Sequence, residues 1–162
     1  MTADARKLTS IVAATLVLIL ASESRAAGLL LVVANADTPP LDEVMLQRVY
    51  LGKVVEVDGK PITPVNLAKG NAARKAFMEH VLTQDDERFI GYWTVRRYIG
   101  KGSPPREFAT AEQQLQYLRA TPGAVGYVDD SVDVTQGLRT LLKKPMAAAP
   151  FWKSLLVWLT SS

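Results

Sequence analysis

Pro122-Gly123-Ala124-Val125-Gly126-Tyr127-Val128 joins a helix stop to a short apolar run. Thr121-Pro122-Gly123 ends a helix, because proline and glycine punctuate local structure. Ala124 to Val128 then reads as a strand. Upstream, Leu41 to Tyr50 carries Leu41, Val44, Met45 and Val49 at helical spacing, and Gly52 stops that helix before Lys53. Further back, Leu29-Leu30-Leu31-Val32-Val33-Ala34-Asn35 is continuously apolar up to its polar end. Such a run predicts a strand covered on both faces.

Between these landmarks, strands and helices alternate. Asp58-Gly59 marks a turn between Val54–Val57 and Pro61–Val65, and the second of these reads as a strand with its prolines at the ends. A helix is expected from about Asn71 to Leu82. A second is expected to be capped by Thr83 with Asp86 three residues on, its apolar side carrying Phe89, Ile90, Trp93 and Tyr98. Gly100 to Pro105 is a loop. Thr110-Ala111-Glu112-Gln113 is a capping-box pattern opening a helix with Leu115 and Leu118 inward. This order predicts an α/β layer with a small mixed or parallel sheet. Val134 to Leu142 fits a strand or a short helix, and Lys143 to Pro150 reads as a linker.

The N-terminus has the pattern of a secretory signal. Arg6 and Lys7 precede 11 apolar or small residues, Ile11 to Ala21, and Ser24-Arg25-Ala26 offers small residues for cleavage. The apolar run is well short of the roughly 20 residues that span a bilayer. The expected organisation is a signal peptide over residues 1–26, a lobe over 27–145 and an apolar segment over 146–162. The last contains Phe151-Trp152-Lys153-Ser154-Leu155-Leu156-Val157-Trp158-Leu159, read either as a final helix on the domain or as a helix for a membrane surface or partner.

Composition removes several function classes. Cleavage after Ala26 removes Arg6, Lys7, Arg25, Asp4 and Glu23, leaving 16 cations and 14 anions in 136 residues. A net of +2 gives no case for nucleic acid. With no cysteine, a disulfide framework, a thiolate metal site and a cysteine nucleophile are excluded. The one histidine, His80, reads as a solvated helix residue, so a Ser-His-Asp triad has little support. Asp85-Asp86-Glu87 fits the first turn of a helix, where acids are favoured. Asp129-Asp130 follows a strand, and two adjacent aspartates are weak evidence for a metal. Neither a catalytic set nor a cofactor site is expected.

The strongest anion site is the start of the helix at Asn71. Lys69 and Gly70 precede it and Arg74 lies in its first turn. Unpaired N–H groups and the helix dipole favour an anion there. Gly70 allows close backbone approach, and Arg74 suits a bidentate contact to phosphate. The alternative is an ordinary Asn cap followed by solvated basic residues. Arg96-Arg97-Tyr98-Ile99-Gly100-Lys101-Gly102-Ser103 is a second basic stretch. It lacks P-loop spacing, and its arginines suit a helix C-terminus.

Leu41 to Lys53, LDEVMLQRVYLGK, resembles the helix and Ile-Phe-Leu-Gly-Lys signature of periplasmic phosphate-binding proteins of ABC transporters. Pro61 to Asn66 resembles their strand before the phosphate loop, Ala76-Phe77 the following helix, and Pro122 to Val128 their Pro-Gly-Ala-Ile-Gly-Tyr-Val strand. The resemblance spans roughly Leu29 to Val128. It implies a single lobe of a type II periplasmic-binding-protein fold, with a small mixed sheet flanked by helices. It further implies a periplasmic, non-catalytic role in binding phosphate or a similar oxyanion, with a transporter or other periplasmic protein as partner. A second copy of the chain is a further candidate for rebuilding a two-lobed clamp, and no residue specifies its interface. The alternative is an interaction module that keeps the fold without the ligand. The departures fall in the phosphate loop. Leu67 stands at the family's Arg position, Lys69 at its Asp position, and Asn71-Ala72-Ala73 replaces Ser-Gly-Thr.

Overall fold

A computed structural model describes residues 28–147. The signal-peptide reading of residues 1–26 lies outside these residues, as does the apolar segment from residue 148 onward.

β1 (Leu29–Asn35) is the continuously apolar stretch. It pairs antiparallel with β6 (Ala124–Asp129) on one side and β7 (Leu138–Pro145) on the other, with a register irregularity between Val32 and Val33. β6 continues, in parallel, to β4 (Thr63–Leu67), and β4 pairs parallel with β5 (Arg106–Phe108). The five-stranded mixed sheet thus has the order β5-β4-β6-β1-β7.

Helices cover both faces, which explains why β1 lacks polar alternation. Leu30, Val32 and Ala34 face a core completed by α1 (Glu43–Tyr50), α2 (Ala72–His80) and α3 (Asp86–Tyr98). Leu31 and Val33 face a second core with Val65, Val128 and α4 (Ala111–Ala120), which contributes Leu115 and Leu118. Leu30 to Ala34 are all buried. Each large aliphatic side chain there contributes about 1.5–3 kcal/mol.

The glycines of the deciding motifs have steric reasons. Gly123 has φ +77°, and a Cβ there would stand 2.1 Å from the Pro61 carbonyl oxygen. A Cβ on Gly126 would meet Gln114 Nε2 at 2.9 Å, in the space where that amide donates to the Tyr127 carbonyl. Gly52 has φ +61°, and a Cβ there would stand 2.7 Å from Trp93 Cη2. The helix stop at Gly52 is therefore also a close approach of α1 to α3.

Several local expectations are corrected. α3 is capped by Asp85, whose Oδ1 accepts from Arg88 N at 2.7 Å. Thr83 is instead the residue that turns the chain, at φ +53°, with its hydroxyl donating to the Leu82 carbonyl. α3 buries Phe89 and Trp93, whereas Ile90 is 40% and Tyr98 92% exposed. α1 buries Leu46, Val49 and Tyr50 and leaves Val44 outside. The Asp58-Gly59 turn is present, but only β2 (Glu56–Val57) and β3 (Lys60–Pro61) pair across it. The longer strand expected from Pro61 separates at Ile62, where the chain leaves the hairpin for the main sheet.

β5 was hidden by Pro104-Pro105. The tail is a strand, β7, that runs through Lys143-Lys144-Pro145, where the sequence predicts a linker. An edge strand tolerates charge and a terminal proline, because one side of its ladder is unpaired. His80 is half-buried, with Nε2 3.4 Å from the Met146 carbonyl, and so is less solvated than its helical position suggested. Among the described residues no helix is long and apolar enough to cross a membrane.

Candidate anion site

β4 ends at Leu67, and Ala68-Lys69-Gly70 carries the chain into α2. This places the loop beyond the carboxyl end of a parallel strand, where open α/β sheets commonly bind ligands. Lys69, Gly70, Asn71 and Arg74 all line one open cleft of about 470 Å³ between the start of α2 and the start of α3. Gly70 has φ +89° with open space where a side chain would project.

The roles within that cleft differ from the local reading. Asn71 Oδ1 accepts from Ala73 N at 2.8 Å and Arg74 N at 3.3 Å. It occupies two first-turn donors that an anion would otherwise use. Lys69 Nζ lies 3.4 Å from Glu87 Oε1, at the surface. Such an exposed pair is worth under about 1 kcal/mol and opens readily.

Arg74 is only 2% exposed. Its Nε donates to Asp86 Oδ1 at 2.8 Å, and its second terminal nitrogen lies 2.8 Å from the same oxygen. The remaining terminal nitrogen donates to the Leu67 carbonyl at 2.7 Å and to Glu107 Oε1 at 2.5 Å. Burial works against its charge, but hydrogen bonds to Glu107 and Asp86 outweigh that and raise its pKa. Arg74 therefore ties α2 to β4, β5 and α3. It does not extend freely into the cleft.

Asp86 and Glu107 are partners of Arg74 that no local pattern in the sequence announces. From the sequence Asp86 reads as an acid of a helix start, and Glu107 lies in β5, a strand masked by the preceding prolines. The cleft is lined by three cations, Lys69, Arg74 and Lys75, against four carboxylates, Glu79, Asp85, Asp86 and Glu87. A fully deprotonated oxyanion is disfavoured there. A protonated one can donate a hydrogen bond to a carboxylate.

Beneath the loop, Tyr127 OH donates to Asn66 Oδ1 at 3.2 Å and accepts from Leu67 N at 3.3 Å. Phe77 stacks on its ring at a centroid distance of 4.1 Å. Burial is the main cause that pushes the Tyr127 phenol well up and keeps it neutral. These contacts fix the end of β4 against β6 and α2.

Among the described residues no group of three or more His, Cys, Asp or Glu side chains is placed to hold a metal ion. Asp129, of the Asp129-Asp130 pair, accepts hydrogen bonds from the Ser131 amide and hydroxyl.

Neither a protein-family model nor a curated protein matches this chain. Solved structures do. One is of a protein from Clostridium perfringens assigned as a phosphate ABC transporter substrate-binding protein, with bound phosphate. It is 16% identical with a TM-score of 0.55, covering 70% of this chain and 44% of that one. Another is an ABC-type phosphate transport receptor from Vibrio cholerae, 14% identical with a TM-score of 0.53, covering 87% of this chain and 69% of that one. The chain thus spans less than half the length of the first of these proteins. At such identities the likeness concerns the fold: a five-stranded mixed sheet flanked by helices, matching a single lobe of a periplasmic binding protein.

Proposed function

We propose that this chain is an exported, non-catalytic binding lobe that takes phosphate or a similar protonatable oxyanion in the periplasm, with a second protein element closing the site. The observation that carries this reading is the convergence of Lys69, Gly70, Asn71 and Arg74 on one cleft beyond the carboxyl end of β4. The fold likeness to phosphate-binding proteins supports it. Arg74 acts by holding the loop, and Lys69 supplies the movable charge. The carboxylates favour phosphate, which carries a proton at neutral pH, over sulfate, which does not. A one-sided, water-exposed site has few strong contacts, so the expected Kd is on the order of 1 mM, about −4 kcal/mol. An ABC transporter, another periplasmic protein or a second copy of the chain would supply the facing wall.

One observation favours a second reading. The ion pairs of Arg74 and the cap made by Asn71 satisfy internally much of what an anion would use. A lobe built this way serves as a protein-interaction module without a ligand. Thermal melting separates the two. With a Kd of about 1 mM, 20 mM phosphate stabilises the folded state by about 1.8 kcal/mol, and sulfate at equal ionic strength does so by less. An unchanged Tm in phosphate favours the interaction module.

A further inference from the structure

The opposite end of the same parallel strands carries a second, differently charged pocket. It has a volume of about 320 Å³ and reaches Thr63 and Arg106, the first residues of β4 and β5. Val54, Val55, Ile62 and Trp93 form apolar walls, and Arg96 and Lys101 stand at its rim. No aspartate or glutamate lines it, in contrast to the four carboxylates of the first cleft. Arg106 also lines it, with its guanidinium lying over the Phe108 and Tyr117 rings.

Arg96 is the informative group. Its terminal nitrogens donate to the Gly52 carbonyl at 3.3 Å, the Lys101 carbonyl at 2.9 Å and the Tyr92 hydroxyl at 3.2 Å. All three acceptors are neutral. Its guanidinium carbon lies 5.4 Å from the Trp93 ring centroid and 5.6 Å from that of Tyr92, and its Nε is buried without an acceptor. A partly buried guanidinium held only by neutral oxygens and aromatic faces retains attraction for an anion. The volume lies at the small end of the range for ligand sites, which combine apolar walls with a few polar anchors.

We propose that this pocket binds a small organic anion: a phosphate or carboxylate head beside Arg96 and Lys101, on an aromatic or branched apolar body against Trp93, Val54 and Val55. The apolar walls distinguish this ligand from a bare oxyanion. The site is separate from the cleft at α2 and does not depend on it.

The test is calorimetric titration of the full chain with phenyl phosphate and, separately, inorganic phosphate, in the parent protein and in Lys101→Glu, Val55→Asp and Lys69→Ala variants. Lys101 and Val55 are exposed, so both substitutions leave the fold intact. Phenyl phosphate is expected to bind at least about fivefold more tightly than inorganic phosphate. Lys101→Glu and Val55→Asp are each expected to weaken phenyl phosphate by about fivefold or more, while Lys69→Ala leaves the tight phase unchanged. Equal affinity for the two probes overturns the proposal. So does a phenyl phosphate affinity that both pocket substitutions leave unchanged.

Discussion

Replacing Arg74 by methionine keeps much of the aliphatic stem and removes the guanidinium that joins four elements. The Leu67 carbonyl then loses a donor at 2.7 Å, and Asp86 and Glu107 lose their partner. Breaking a fully buried ion pair by removing one member costs about 3–5 kcal/mol. The Asp86 side chain is 18% and the Glu107 side chain 50% exposed, so water recovers part of that loss. The expected cost is about 2–3 kcal/mol, which for a domain of this size lowers Tm by roughly 8–12 °C. Thermal and urea melts of Arg74→Met provide the measurement. The combined Arg74→Met, Asp86→Asn protein is expected to lose less than the sum of the single variants, because the second change removes the orphaned carboxylate. A Tm drop under about 3 °C, or strict additivity with Asp86→Asn, would refute the structural role of Arg74 and return it to the pool of ligand residues.

The buried phenols give an alkaline prediction. Burial is the first cause that raises the pKa values of Tyr50 and Tyr127 in the folded chain. Unfolded tyrosine releases its proton near pH 10 while the folded pair keeps it, so stability is full below about pH 10 and falls as pH rises above it. Urea midpoints are expected to decline above that pH and to do so less in Tyr127→Phe; a flat profile to pH 11.5 contradicts this. Gly123→Ala, facing the Pro61 carbonyl at 2.1 Å, is expected to destabilise far more than Gly59→Ala, which has a similar positive φ in open space. Equal loss in the two, by urea melts, defeats the close-approach explanation of the motif. Expression with export is expected to give a mature mass beginning at Ala27; retention of residues 1–26 in the exported protein contradicts the signal reading.

What the sequence revealed and what it concealed divide along local and long-range physics. The all-apolar β1 declared its two covered faces, and the Pro-Gly and Asp-Gly turns declared their positions, because each depends on a few adjacent residues. Gly52, Gly123 and Gly126 were legible as motif members, but their reasons lie in Trp93, Pro61 and Gln114, distant in the chain. β5 escaped because two prolines precede a three-residue strand with two charged side chains. β7 was obscured by Lys143-Lys144-Pro145, a pattern an edge strand accepts. Arg74 was placed correctly near a helix start. Its burial came from Asp86, 12 residues away, and Glu107, 33 residues away, and no local pattern announces that convergence.

Phosphate binding by the lobe is decided by calorimetric titration of inorganic phosphate, then sulfate, into the folded chain and its Lys69→Ala variant. Lys69 is the informative position, since loss of Arg74 disturbs the fold. The expected result is saturable phosphate binding on the order of 1 mM, weaker sulfate binding, and a severalfold loss in Lys69→Ala. The absence of any saturable heat at 20 mM phosphate, with the chain shown to be folded, contradicts it and leaves the interaction module as the function of the lobe.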